Sequence, residues 1–266
     1  MRLCTFNDAG VARLGRVDDV MVTPLDAPDL LAVALGADAA ELGPPVSLSS
    51  VTLLAPLRPG KILGVGKNYA DHAQELGEAV PQIPILFTKL VTSITGPTGP
   101  VVLPGYTSQL DYEGELAVVI GRTARFVSVV EALDHVAGYT AIDDISARDC
   151  QAAEPQWTRA KGGDTFAPLG PWLVTPDEVG DPQDLRIRTW VNGELRQDGH
   201  TGQMMRSVAE LISWCSHSFT LEPGDLIATG TPAGVGHGMK PPQYLTPGDV
   251  VRIEVERIGT MEHPIQ

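Results

Sequence analysis

An α+β fold follows from three features of the 266-residue chain. Short runs of alternating or continuous apolar residues recur along its length, as strands require. Turn signals rich in Gly, Pro, Asn and Asp separate those runs. Helical spacing is confined to a few short segments, so strands dominate and helices are added to them.

Taken in order, residues 1–58 read as a small N-terminal domain. Strands are expected around Val11–Leu14 and Val20–Val22, and a short helix over Asp29–Leu35 that stops near Gly36. Ala55–Gly60 (APLRPG) carries two prolines and a glycine and reads as the linker to a second domain, residues 59–266. There Lys61–Val65 is a short apolar strand. Asn68 stands where it would N-cap the helix YADHAQEL, which Gly77 would end. Residues 77–84 (GEAVPQIP) read as a mobile segment. Leu116–Ile120 is a continuous apolar run, the pattern of a strand buried on both faces. Two capping boxes, Ser128–Glu131 and Ser207–Glu210, open apolar stripes. Val129, Leu133 and Val136 form the first, and Val208, Leu211, Ile212, Cys215 and Phe219 the second; both are expected to face the core. Leu185–Val191 alternates and is followed by the hairpin turn Asn192-Gly193. Glu222–Asp225 and Thr246–Asp249 are Pro-Gly turns that each precede a strand. In the last strand Val251, Ile253 and Val255 face one way and Arg252, Glu254 and Glu256 the other.

Composition narrows the function. A net charge of −14 argues against nucleic acid and against an anionic membrane surface, both of which require basic patches. A chain of 266 residues can bury a core without disulfides, and its 43% apolar content argues against disorder. Cys4, Cys150 and Cys215 are odd in number and widely spaced, which suits reduced thiols in a cytoplasmic protein. No apolar run is long enough for a membrane span.

The segment QLDYEGELAVVIG (109–121) places Glu113 and Glu115 two apart, on one face of a strand. Two carboxylates side by side at the entrance to a buried strand repel each other and are costly unless a cation lies between them. A third acid is available in YTAIDDISARD (139–149), where Asp144 follows an apolar strand; its neighbour Asp143 is a rival. Three carboxylates with no His or Cys cluster suit magnesium, with manganese or calcium as alternatives. The Glu-x-Glu pair alone also fits a solvated face with salt bridges to Arg122 or Arg148.

His72 and Glu75 lie three apart in the YADHAQE segment and share a helix face. A carboxylate beside an imidazole orients it and raises its basicity, so the pair could draw a proton from water. Lys161, one of only five lysines, sits in an apolar, Gly-containing stretch where it could polarise an oxygen. Gln151 and Arg148 follow Asp144 closely and could contact a polar substrate; Arg148 could equally pair with Asp144 or Asp149. Gly230–Gly236 lacks the ending of a phosphate loop and reads as a tight loop of close approach.

Seven segments together carry a resemblance. They are GVGKNYADHAQE (64–75), FTKLVTSITGP (87–97), DYEGELAVVIG (111–121), YTAIDDISARDCQ (139–151), AKGGDTFAPLGPW (160–172), VNGELRQ (191–197) and GDLIATGTPAGVG (224–236). In this order they resemble the fumarylacetoacetate hydrolase family over residues 60 to 260. The resemblance implies mixed sheets rolled into a flattened barrel with outer helices, a small leading domain, and a homodimer. It implies metal ligands at Glu113, Glu115 and Asp144, although the family usually has Asn where this chain has Asp143. It implies a lid helix whose His72–Glu75 pair activates water, and Lys161 beside the metal. Lys89 matches a family position, though Leu90 stands where proline is common. Thr231 and nearby backbone amides are implied to hold the substrate carboxylate.

The function expected is a metal-dependent hydrolase that cleaves a carbon–carbon bond in an acylpyruvate or related 2,4-dioxo acid. The leaving group would be a pyruvate enolate, stabilised by the metal and Lys161. An oxaloacetate-type decarboxylase or a hydroxy-dienedioate isomerase would use the same metal and enolate chemistry. A non-catalytic ligand carrier is a reading from another class.

Overall fold

A computed structural model describes residues 1–266. Two sheets form its frame. The larger has 13 strands, the smaller four, and a two-stranded ribbon accompanies them.

The chain opens with an antiparallel meander: β1 (Arg2–Asp8), β2 (Val11–Asp18) and β3 (Met21–Asp26). Helix α1 (Leu30–Ala34) follows, capped by Asp29, whose side chain accepts the Ala32 N–H at 2.7 Å. The sequence did not indicate β1. It is the strand that joins the leading segment to the rest, because Arg2 and Leu3 pair with Val174 and Leu173.

After the linker come β4 (Ile62–Gly66), α2 (Ala70–Glu75) and β5 (Ile85–Lys89). Strands β6 (Gly114–Ile120) and β7 (Val136–Asp143) form the centre of the large sheet, and every residue of both is buried. Helices α3 (Arg148–Ala153) and α4 (Thr158–Lys161) lead to β8 (Ala167–Val174). Strands β9 (Arg186–Val191) and β10 (Glu194–His200) form a hairpin at Asn192-Gly193, both with positive φ as a type I′ turn requires. Helix α5 (Val208–Ser218), β11 (Leu226–Ala228), β12 (Val250–Val255) and β13 (Gly259–Pro264) complete the chain.

The longer strands of the large sheet run β3-β2-β1-β8-β7-β6-β11-β4-β5, antiparallel except where β11 lies parallel to β4. The small sheet runs β10-β9-β12-β13. Apolar faces of both sheets and α5 meet in one core that includes Leu116, Ile187, Leu211 and Ile253. Leu211 is 1% exposed. Leu211→Ala is expected to lower stability by about 2–5 kcal/mol, read from urea denaturation. No helix is long and apolar enough to cross a membrane.

Two local expectations are corrected. The Ser128–Glu131 box forms its side-chain contact at 2.6 Å but opens only a 3₁₀ turn, Ala132–His135. Val129 and Leu133 are exposed rather than in the core, because Val136 already starts β7. Asn68 does not cap α2, where Tyr69 holds that place without a side-chain bond. Asn68 is buried and staples three segments instead. Its amide donates to Arg206 O at 3.0 Å and Thr229 O at 2.8 Å, and its oxygen accepts the Arg206 N–H.

Candidate active site

The register of the central strands builds the site. Gly114 pairs with Asp143, and the Asp144 N–H donates to Glu113 O at 2.9 Å. The end of β7 therefore meets the start of β6, and acids from both ends converge. Glu113, Glu115 and Asp144, all buried, present carboxylate oxygens within 4.8 Å of one another.

Asp143 turns to the opposite side, as alternation along a strand dictates. Its Oδ1 accepts the Glu113 N–H at 2.8 Å and its Oδ2 accepts from His263 Nε2 at 3.0 Å. Both residues of that pair are fully buried. Asp143 is thus a clamp on the backbone of Glu113. Asp143→Ala is expected to lower divalent-ion affinity about 10–100-fold, as loss of a supporting partner does, measured by titration calorimetry.

The cations around the acids are unequally shared. Lys161 Nζ lies 2.8 Å from Glu113 and 2.7 Å from Asp144. Lys89 Nζ lies 2.5 Å from Asp144 Oδ1. Arg148 contacts Glu113 at 2.7 Å and Asp111 at 2.8 Å, so its acidic partners are these two and not Asp144 or Asp149. Burial alone would raise Glu113, but Lys161 and Arg148 outweigh it and hold the carboxyl well below the usual range. Burial likewise opposes the charge on Lys161, and Asp144 and Glu113 reverse that, leaving its pKa raised.

Glu115 is different. It accepts the Gly230 N–H at 2.7 Å and meets no side-chain cation. Burial, then the charges of Asp144 and Glu113, push its carboxyl well above the usual range. Gly230 can approach so closely because it has φ +96° and no side chain; a Cβ there would meet Asn68 at 2.7 Å. Four buried acids (Asp111, Glu113, Glu115, Asp144) face three buried cations, so the group carries one negative charge in excess when all four acids are ionised. An all-oxygen donor set with that deficit fits a hard divalent cation. A dication also turns the local charge positive, the sign a carboxylate substrate requires.

The same cavity, about 150 Å³, is lined by His72, Glu113, Arg148, Gln151, Lys161 and Thr231. Helix α2 turns His72 inward; it is 4% exposed. Its Nδ1 lies 2.8 Å from Glu75 Oε1, while Glu75 Oε2 accepts the Gly234 N–H at 2.9 Å. With Nδ1–H given to the carboxylate, Nε2 keeps the lone pair that a base needs. Gln151 accepts from Arg148 Nη1 at 3.0 Å. Thr231 donates its hydroxyl proton to Gly114 O at 3.0 Å and accepts from the buried Gln197 amide at 2.7 Å. Lys89 lies behind Asp144 and is not among the cavity-lining residues.

The structure adds Asp111, Gln197, His263 and, on the cavity wall, Lys67, Leu76, Glu78, Trp157 and His237. Asp111 carried a signal, since Asp111, Glu113 and Glu115 alternate in DYEGE. His263 carried none, being 120 residues from its partner.

Comparison with known proteins shows the family. A family model described as fumarylacetoacetate (FAA) hydrolase C-terminal matches residues 61–266, and one described as Rv2993c-like, N-terminal, matches residues 1–56. The chain is 46% identical over 275 residues to the 2,4-didehydro-3-deoxy-L-rhamnonate hydrolase of Sphingomonas sp., covering 100% of this chain and 96% of the relative. It is 45% identical over 265 residues to the mitochondrial oxaloacetate tautomerase FAHD2A of Homo sapiens, covering 97% and 84%. The solved structure of a fumarylacetoacetate hydrolase from Exiguobacterium antarcticum superposes with a TM-score of 0.91 at 43% identity, covering 100% and 99%. Relatives of this kind are enzymes acting on small molecules. The chain belongs to the fumarylacetoacetate hydrolase family.

Proposed function

We propose that this protein hydrolyses a carbon–carbon bond in an acylpyruvate or related 2,4-dioxo acid. The observation that supports the reading is His72, hydrogen-bonded to Glu75, lining one small cavity with Glu113 of the Glu113–Glu115–Asp144 group. In this reading residues 59–266 form the catalytic domain and residues 1–58 a small N-terminal domain, and the active protein is a homodimer.

Glu113, Glu115 and Asp144 would hold the divalent ion, magnesium by preference. When bound, it supplies Lewis-acid polarisation and positive charge beside the 2-oxo acid. The residues do the rest. Arg148, Gln151 and Thr231 orient the acid in the cavity. Lys89 stays paired with Asp144 and fixes its orientation. His72, oriented by Glu75, takes a proton from water at Nε2, and the hydroxide attacks the distal carbonyl. The C3–C4 bond then breaks. The acyl part leaves as a carboxylic acid and the pyruvate part as its enolate, whose charge faces the Lys161 ammonium. Helix α2 covers the reaction and limits entry of bulk water.

A second reading rests on the human relative: keto–enol tautomerisation of oxaloacetate, with His72 moving a proton between carbon and oxygen. The test is incubation of the magnesium-loaded protein with acylpyruvates and with oxaloacetate. Pyruvate released in step with the matching carboxylic acid is the expected result. Tautomerisation of oxaloacetate with every acylpyruvate untouched would replace the first reading by the second.

A further inference from the structure

A second cavity shares the 234–244 loop with the catalytic one. Its volume is about 350 Å³ against about 150 Å³ for the catalytic cavity, and it falls within the roughly 300–1,000 Å³ of ordinary ligand pockets. Its walls include Tyr112, which precedes β6, Arg196 on β10, Tyr244, and Asp249 just before β12. The cleavage chemistry uses none of these side chains.

Two opposite charges stand in this cavity without meeting. The Arg196 side chain is only 12% exposed, yet it is poorly paired. Its Nη2 donates to Glu194 Oε2 at 3.0 Å, but Glu194 is 68% exposed, and an ion pair so open to water compensates little. Its Nη1 meets the Met239 thioether, a weak acceptor, and its buried Nε has no partner. A guanidinium left in that state is costly, and a carboxylate in the cavity would give it the partner it lacks. Asp249 carries the other charge. The Asn192 amide donates to its Oδ1 at 2.8 Å, and the Thr246 N–H and hydroxyl donate to its Oδ2 at 2.7 and 3.0 Å. Burial opposes ionisation of Asp249, but these bonds, with the charge of Arg196, outweigh it and lower its pKa. Its Oδ1 accepts one bond and keeps room for a second. Val191 and Leu245 add apolar surface to the same walls.

We propose that this cavity binds a free α-amino acid with an apolar side chain. The carboxylate pairs with Arg196, the ammonium with Asp249, and the side chain lies against Val191 and Leu245. An anion alone would meet the Asp249 charge and a cation alone the Arg196 charge, whereas a zwitterion satisfies both. The site is also joined to the catalytic cavity. Tyr112 donates its hydroxyl proton to Gly234 O at 2.9 Å, and the Gly234 N–H donates to Glu75, the partner of His72. Residue 234 is wedged in place, because a Cβ there would collide with the Arg196 carbonyl. Tyr244 Oη lies 2.8 Å from Nδ1 of His237, which lines the catalytic cavity. An amino acid held against Tyr112 and Tyr244 therefore steadies the loop that seats the Glu75–His72 pair.

The test is calorimetric titration of the magnesium-loaded protein with leucine, 4-methylpentanoate and 3-methylbutylamine. The last two are leucine without its ammonium and leucine without its carboxylate. Leucine is expected to bind once per chain and about 10–100-fold more tightly than either analogue, the worth of a hydrogen bond to a charged group. Arg196→Met should remove the preference over the amine, and Asp249→Asn the preference over the acid. Leucine should also shift the NMR pH titration of the His72 imidazole, and Tyr112→Phe should still bind leucine but lose that shift. Leucine that fails to bind the wild-type protein, or binds no more tightly than either analogue, overturns the proposal without any variant. So does a preference that survives Arg196→Met in protein whose thermal unfolding is normal. Leucine binding that leaves His72 unmoved overturns the link between the cavities. None of these results depends on which reaction the catalytic cavity performs, so the cleavage reading is tested apart from them.

Discussion

Magnesium added to the Glu115→Gln protein is expected to give no calorimetric binding signal, and carbon–carbon cleavage is expected to fall by about three orders of magnitude. The magnitude follows from the several kcal/mol of charge stabilisation that a bound metal supplies, at 1.36 kcal/mol per tenfold in rate. The position is decisive because Glu115 is the acid without a cationic side chain. Glu113 and Asp144 already have Lys161, Arg148 and Lys89 beside them. An amide at 115 keeps the shape and the acceptor for the Gly230 N–H, but removes the carboxylate that an ion would call up. The same change should have the opposite effect on stability without metal. A buried charge that lacks a partner is costly, so chelated Glu115→Gln should melt above chelated wild type, by about 2–4 °C for each kcal/mol relieved. Loss of metal binding together with a lower melting point under chelation would mean that 115 is a packing position and not a ligand.

His72→Ala is expected to lower kcat for cleavage by about 10²–10⁴, the usual worth of a positioned acid–base group, with magnesium affinity close to wild type. His72 makes its hydrogen bond to Glu75 and forms no hydrogen bond or ion pair with the three acids, which is why the two functions should separate. Glu75→Gln is a finer probe. Its carboxylate holds His72 with one oxygen and the Gly234 N–H with the other. The amide can still accept at one of these places but must offer NH₂ at the other. Either the imidazole tautomer or the seat of α2 on the 230–236 loop is then lost. Cleavage that persists in His72→Ala would remove the imidazole from the mechanism, whatever the metal does.

Much of this was legible in the sequence because it is local. The acids of DYEGE lie on one strand, His72 and Glu75 on one helical turn, and Ser207 and Glu210 form a capping box whose stripe, Val208, Leu211, Ile212 and Cys215, is buried as expected. What escaped depends on contacts distant along the chain. The Ser128–Glu131 box has the residues of a helix start, yet Val136 is claimed by pairing with Ile120 in the sheet, so no room remains for a second turn. Asn68 looks like a cap, but Thr229 and Arg206 take both ends of its amide. Strand β1 has no clean alternation and is defined by its neighbours β2 and β8. Lys67 and Glu78 were passed over because neither spacing nor residue type sets them apart until the cavity brings them together.

The Asp143 clamp has a consequence in time. It ties the backbone of residue 113 to a side chain at residue 263, and its own two ends lie 120 residues apart. At the ~5–20 residues per second of synthesis, about 6–24 s separate the emergence of Asp143 from that of His263. During that interval the three acids are exposed to every ion in their compartment without the scaffold that sets their spacing. A divalent ion that depends on this spacing would therefore be taken up once His263 is in place. The choice of ion would then fall to the finished geometry and to what surrounds the protein once β13 has closed on the sheet.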